Sequence, residues 1–479
     1  MLSSIFITLI VGLFLISVTN DEKKLKFLSL GTSLVVLLLS IAILLTFKNN
    51  VEVFQYAVIY KIDSSFLNFS VAFGLDGISL YFFYLSALLT VLCILFVWEE
   101  KKFKEYAVNL LLIELFLLII FSVLDLMFFY IFFEAILVPM YLLIGIWGSR
   151  ERKIRAVYLF FFYTLCSSLL FLISILYIYN KTGSLNLEYL MTVEFTFTEQ
   201  LFLWCGFFLS FASKIPMFPF HIWLPEAHVE APTVGSVLLA GILLKLGVYG
   251  LLRFNLTLFP DASLYFSPLV YLMSCIGVIY ASLAALRQTD LKRIIAYSSV
   301  AHMNLVTLGI FSFNTVGIEG SILQSVSHGF VSGGLFFLIG ILYNRYHTRY
   351  LYYYGGLVHF MPVYSAIFLV FTLANIALPG TSSFVGEFLL LSGIYKTNVV
   401  TGIIAALGVI LSGAYSLWLY NKMTFGNLKV TYLSKFQDIN FREFFIMLPL
   451  FIYIFVMGVY PSLFTENLHI SILNLPLNF

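Results

Sequence analysis

The stretch PTVGSVLLAGILLKLGVYGLLRF (232–254) decides the fold. At ~1.5 Å per helical residue its 23 residues are long enough to cross a hydrocarbon core of ~30 Å. Its only charges are Arg253 at the far end and Lys245, about thirteen residues in. A lysine at that depth is too far from either interface to snorkel. It costs at least ~2.5–3.5 kcal/mol at the bilayer centre, so a segment that keeps one argues for ion work rather than anchoring.

Comparable runs recur outward in both directions. About fourteen spans are predicted, at 2–19, 26–47, 76–97, 106–122, 124–147, 154–179, 200–222, 232–254, 264–286, 292–312, 317–343, 361–393, 399–425 and 443–465. Only Val123 separates the fourth from the fifth. The expected class is an all-α polytopic membrane protein. Composition agrees: of 479 residues, 61% are hydrophobic and 10% charged, against roughly 25% charged in soluble domains. Cys93, Cys166, Cys205 and Cys275 stand singly in apolar segments, which argues against an iron–sulfur cluster, a zinc site or disulfides. With no Gly-rich phosphate loop, nucleotide binding has no support. The N-terminus lacks the basic start of a secretory signal and the Arg-rich character of a transit peptide, so it reads as the first span of an untrimmed chain. Usage rich in Phe (52) and Tyr (30) suggests an organelle-encoded protein.

Loop charges test the count. Odd-numbered loops hold the clusters Lys23/Lys24/Lys26, Lys101/Lys102/Lys104, Arg150/Arg152/Lys153/Arg155 and Lys422/Lys429/Lys435/Arg442, together with Arg287, Lys292, Arg293, Arg345 and Arg349. Even-numbered loops hold only Lys48, Lys61, Lys181, Arg253 and Lys396. A miscount would have mixed the two sets, and the asymmetry predicts an orientation with both termini on the outer side. Of the 26 basic residues, Lys214 and Lys245 remain, both inside spans.

They belong to a row of ionisable residues at membrane depth: Glu114 in span 4, Glu134 in span 5, Lys214 in span 7, Lys245 in span 8, His302 in span 10, His328 in span 11 and Glu387 in span 12. Glu134, His302 and His328 lie about ten residues into their helices, roughly 15 Å deep. Two of these spans are also broken by proline: SKIPMFPFHIW (213–223) follows Lys214 with Pro216 and Pro219, and NIALPGTSSFVGEF (375–388) places Pro379-Gly380 ahead of Glu387. Broken helices at membrane depth line protein or water. In corresponding places of two halves they mark a transport site. Spans 7 and 12 are five apart, so spans 4–8 and 9–13 would form two five-helix repeats, the second inverted. The expected divisions are 1–105 for spans 1–3, 106–254 and 255–425 for the repeats, each carrying a half-channel, and 426–479 for span 14.

Other features have plainer readings. Glu226, His228 and Glu230 have metal-ligating side chains but are expected in a water-reached loop, and no metal is expected. Asp125 reads as interfacial, Asp76-Gly77 as a helix N-terminus, and Gly329-x-x-x-Gly333 as close helix packing. Glu114 has no assigned role. For the rest, a Glu134–Lys214 pair at ~6 Å and an effective dielectric of ~20 is worth about 2.8 kcal/mol. Moving one proton against 100 mV needs ~2.3 kcal/mol. Making and breaking that pair could therefore drive loading and release at Lys214, with Lys245, His302 and His328 relaying the proton and Glu387 as exit or contact to a neighbouring unit.

HIWLPEAHVEAPTVGSVLLAGILLKLGVYG (221–250), LKRIIAYSSVAHMN (291–304), QSVSHGFVSGGLFF (324–337) and LPGTSSFVGEF (378–388) together resemble the M-type antiporter-like membrane subunits of NADH:ubiquinone oxidoreductase, respiratory complex I. The likeness runs along the whole chain; the long lateral C-terminal helix of the sister L-type is missing. The resemblance implies that the family's fifth-helix glutamate is Glu134, in FFEAILVPMY (132–141), and its broken-helix lysine Lys214. It also implies Lys245 as the connecting lysine, His302 and His328 as the central histidines, and Glu387 as the helix-twelve glutamate. By the same resemblance this chain would supply one proton channel, with neighbouring antiporter-like subunits as partners, while FMN, iron–sulfur clusters and ubiquinone are bound by other subunits. The spelling of PEAHVEAPT (225–233) looks mitochondrial, which places the chain in the inner membrane. Two alternatives remain open: a secondary cation/proton antiporter subunit of the same fold, and a scaffold that moves no ion.

Overall fold

The structure, a computed structural model, describes residues 1–51, 53–63, 68–427, 429 and 437–475. Lys435 of the predicted basic cluster lies outside the described residues.

Apolar segments of this length fold as helices because lipid offers no partner for backbone amides. Among the described residues ten helices are long and apolar enough to cross a membrane: Glu22–Thr46, Gly77–Phe96, Phe103–Ser122, Leu126–Trp147, Lys153–Thr182, Thr233–Leu258, Pro260–Arg287, Thr315–Tyr346, Val399–Thr424 and Phe441–Val459. The four other predicted spans are also helical. Span 1 is Leu2–Val18 and span 10 is Leu291–Ile310. Span 7 is Phe197–Lys214 followed, after a break, by Trp223–Glu230. Span 12 is Pro362–Asn375 followed by Ser382–Thr397. Both predicted breaks are present, and in span 12 the turn carries Ala377 at φ 63° and Gly380 at φ 91°.

The loops pair by parity. On the basic face, Lys104 of loop 3 donates to Thr19 of loop 1 at 2.9 Å, Arg150 of loop 5 to Tyr350 of loop 11 at 3.3 Å, and Arg442 of loop 13 to Glu99 at 2.8 Å. On the other face, Leu126 N–H donates to Leu185 O at 3.0 Å, Arg253 pairs with Asp76 at 2.5 Å, and Asn314 donates to Gly393 O at 2.8 Å. These contacts join odd loops to odd and even to even, as the charge tally requires.

Spans 3, 8 and 11 form the interior; the helices of spans 8 and 11 are buried along their whole apolar windows. Glycine allows the approach. A Cβ on Gly329 would meet Leu85 Cδ2 at 2.6 Å and Gly241 O at 3.0 Å, and one on Gly241 would meet Leu89 Cδ1 at 2.5 Å. Close packing therefore holds at Gly329, whereas at Gly333 a Cβ would meet Leu89 Cδ2 at 3.5 Å, an ordinary contact. Outer helices keep apolar side chains exposed, such as Leu169, Ile173 and Leu176 on span 6, where lipid is the expected solvent.

Four features differ from or add to the sequence reading. The division between spans 4 and 5 is wider than Val123 alone, because Leu124 N–H donates to Ala72 O at 2.9 Å and Asp125 caps the next helix. A hairpin of β1 (Gln55–Asp63) and β2 (Asn68–Leu75) fills the second loop. A twelve-residue helix, Ser462–Leu473, follows span 14 and is tied to Gly77 N–H by Ser471 at 2.9 Å. Span 8 contains two π-helical turns, Leu239–Leu243 and Leu251–Asn255, on either side of Lys245. Such turns leave no mark in residue type, so periodicity did not foresee them.

Candidate functional site: a buried row of proton-carrying side chains

Lys245 leaves a π turn, and its ammonium donates to Ala240 O within that turn and to His328 Nδ1 at 2.9 Å. A lysine ammonium has no acceptor. While Lys245 is an ammonium, His328 accepts at Nδ1 and carries any hydrogen at Nε2, an atom with no protein partner. The His302 ring follows, with centroids 5.8 Å apart. Such a spacing leaves the two rings within reach of a single bridging water. His302 Nδ1 lies 3.0 Å from Glu387 Oε1, and the same oxygen accepts from Gln324 Nε2 at 2.9 Å. Tyr415 OH stands 3.5 Å from His302 Nε2. Lys245, His302, His328 and Glu387 are each at most 3% exposed. Spans 8, 11, 10 and 12 thus place four buried titratable side chains in one lateral row.

The break in span 12 is what delivers Glu387. The second helical piece starts at Ser382, with Ser382 and Ser383 bound to Ser327 of span 11 at 2.7 and 2.8 Å. Gly386 packs against the Gln324 backbone, where a Cβ would come within 2.7 Å of its nitrogen. The carboxylate one residue later is thereby set against span 11.

At the other end of the row, Lys214 ends the first half of span 7 and is 4% exposed. Its ammonium lies 4.6 Å from the centre of the Phe133 ring, a cation–π contact. Glu134 follows Phe133, and the two charged groups are electrostatic neighbours without a direct ion pair. The expected Glu134–Lys214 couple is therefore present as a loose pair. Glu134 is half-buried, just before a discontinuity at Ile136. Pro139 explains the discontinuity, since it has no N–H for the carbonyl four residues back. No hydrogen bond or ion pair among the described residues joins Lys214 to Lys245; the link between spans 7 and 8 is packing of Gly247 onto Ile215.

Residues 226–230 are not the expected loop but part of the helix Trp223–Glu230. Glu226 pairs with Arg293 at 2.7 Å and Glu230 with Arg349 at 3.3 Å, while the His228 ring stacks on Phe336 at 4.8 Å. The carboxylates face separate arginines, so no three ligating groups converge among the described residues. Glu114 is completely buried with both oxygens unpartnered. Asp76 caps span 3 in a capping box with Ser79, as its position predicted. Sequence reasoning missed Gln324 and Tyr415, neutral side chains in apolar runs. It also placed Lys292 in a loop, whereas the structure buries it to 2% exposure.

Residues 123–413 match the family described as NADH:quinone oxidoreductase/Mrp antiporter, TM. The chain is 52% identical over 475 residues to NADH-ubiquinone oxidoreductase chain 4 of Marchantia polymorpha, covering 98% of this chain and 96% of that one. It is 50% identical over 478 residues to the protein of the same name from Arabidopsis thaliana, covering 99% and 96%. Among solved structures, a chain of respiratory complex I from Thermus thermophilus with bound NADH superposes with a TM-score of 0.90 at 31% identity, over 100% of this chain and 99% of that one. A chain of the Mrp complex from Dietzia sp. gives a TM-score of 0.85 at 20% identity over 99% and 97%, a likeness of fold alone.

Proposed function

We propose, from the premise that the chain belongs to the NADH-ubiquinone oxidoreductase chain 4 family of antiporter-like membrane subunits, that its buried row is the proton path of one channel in that enzyme. The chain is a proton-translocating subunit of the membrane arm of NADH:ubiquinone oxidoreductase, beside other antiporter-like subunits. The finer reading is a sequence of transfers. Lys214, biased by Glu134, exchanges protons with Lys245; Lys245 passes one to His328; a water carries it to His302; Glu387 receives it and hands it out of the row. Spans 4–8 and 9–13 act as inverted half-channels, one for each lysine-centred or glutamate-centred end. FMN, iron–sulfur clusters and ubiquinone sit on other subunits. The membrane is the mitochondrial inner membrane, with the basic face toward the matrix, and the chain is organelle-encoded.

The observation that carries this reading is the contact row from Lys245 through His328 and His302 to Glu387. Each step is within direct or one-water reach; Lys245 follows a π turn and Glu387 a helix break, while His302 and His328 project from regular helices. A scaffold that moves no ion would have no use for such costly groups at this depth. The test is proton translocation in closed vesicles by the assembled complex carrying Lys214→Ala or Glu387→Ala. Both variants are expected to lose pumping; normal assembly with normal pumping refutes the scheme.

A further inference from the structure

A cavity of about 110 Å³ opens on the basic face beyond the end of the row. Its rim includes the exposed Glu100 and Asn344, and its inner wall Tyr106, Ser149, Thr233 and Lys292. It has room for several water molecules.

Lys292 stands in the first turn of span 10, and its ammonium donates to Ala231 O at 2.8 Å and faces the Tyr343 ring at 5.9 Å. The nearby carboxylates are taken: Asp290 and Glu230 each lie 3.3 Å from Arg349, which also donates to Ser149 Oγ at 3.0 Å. Lys292 itself forms no ion pair among the described residues. A buried lysine held by a carbonyl and a ring face, with water on one side, is free of the carboxylate that would lock its proton in place.

On its inner side is His228, completely buried and with neither ring nitrogen hydrogen-bonded. Its electrostatic neighbours are Lys292 and Lys245, and it stands in turn near His328. An orphaned imidazole with two lysines as electrostatic neighbours is costly unless it exchanges protons or binds water. The stack on Phe336 holds the plane of its ring at 7° to the phenyl.

We infer that Lys292 is a third proton-carrying lysine, the inlet through which the basic-face cavity loads the row by way of His228 and Lys245. The proton moves from the Lys292 ammonium to the His228 imidazole and from the imidazolium to the Lys245 amine. The Lys292 amine is then reprotonated by cavity water. Arg349 is a positioning residue here, because it pairs with Asp290 and Glu230, which then act on Lys292 through space and not by a direct ion pair. The inference rests on the relay reading above.

The test uses the assembled complex in closed vesicles, with pumping measured against the pH on the basic face. Lys292→Met is expected to lower proton translocation by about tenfold or more, short of the full effect of losing a positioned proton-transfer group. Lys292→His is expected to move the alkaline limit of pumping to lower pH by more than about one unit, since imidazole binds its proton less tightly than an amine. Asn344→Trp, at the exposed rim, is expected to slow pumping by plugging the mouth. Wild-type pumping with an unshifted pH profile in Lys292→Met, while Lys245→Ala has lost pumping, overturns the inlet and leaves the relay standing. Normal pumping in both overturns the relay and the inlet with it. If Lys292→Met does not assemble, an unshifted profile in Lys292→His is the overturning result.

Discussion

Lys245 and His328 share a hydrogen bond of 2.9 Å, and His302 and Glu387 a contact of 3.0 Å, so substitutions at these positions differ in kind. Glu387→Gln preserves the shape and the acceptor that Gln324 needs but removes the exchangeable proton. Pumping should fall by about tenfold or more with little change in thermal stability, because the hydrogen bond to Gln324 survives. A variant that melts early and pumps in proportion to its abundance would indicate a packing role instead. A charge pair outside the membrane gives a contrast. The Arg442 guanidinium, by hydrogen bond and by charge, holds the Glu99 carboxyl below its ordinary value. Its contribution to stability is therefore present above that ordinary value and is lost as pH falls through the depressed one. Glu99 is 78% exposed, so the pair is worth less than ~1 kcal/mol. Arg442→Ala should leave the melting temperature near neutral pH almost unchanged, and a large drop would contradict this reading.

At the scale of elements, close helix approach and helix breaks position the row. Gly241→Val or Gly329→Val would drive a branched side chain into Leu89 or Leu85. Overpacking of this kind costs ~1–3 kcal/mol, and it should also shift Lys245, which leaves the same π turn as Gly241. Measured as unfolding in detergent, both should destabilise, and Gly241→Val should in addition reduce pumping. Gly380→Val forces φ of 91° on a branched residue, at a cost of ~1–3 kcal/mol, and displaces the start of the helix that presents Glu387. The breaks themselves were legible, because Pro216, Pro219 and Pro379 stand inside apolar runs. The π turns were not, since a shift from four- to five-residue hydrogen bonding leaves composition untouched. The hairpin in the second loop and the helix after span 14 were missed for a related reason: a search for long apolar runs passes over short elements.

Across the whole molecule, the span count read from apolar runs was checked by a property that three-dimensional structure must obey. Basic residues segregate by loop parity, and loops of one parity meet on one face. Subtracting them isolated Lys214 and Lys245 as interior cations before any geometry was known. What sequence order could not supply was adjacency. The row runs through spans 8, 11, 10 and 12, out of chain order, so that Lys245 touches His328 while His302 bridges to Glu387 emerges only on folding. Lys292 was assigned to a loop because it opens a helix; Arg349, fifty-seven positions further along the chain, helps enclose it in the interior. The rival of a free-standing cation/proton antiporter shares the fold, but the relatives at 50–52% identity carry the name of the redox-linked enzyme.

On the proposed reading, protons cross through the Lys245 row under the drive of NADH oxidation. The most direct test is the number of protons moved per NADH oxidised by closed vesicles containing the assembled complex with Lys245→Ala, against wild type. A lower ratio, with the complex intact, is the predicted result. An unchanged ratio at full turnover would contradict the account.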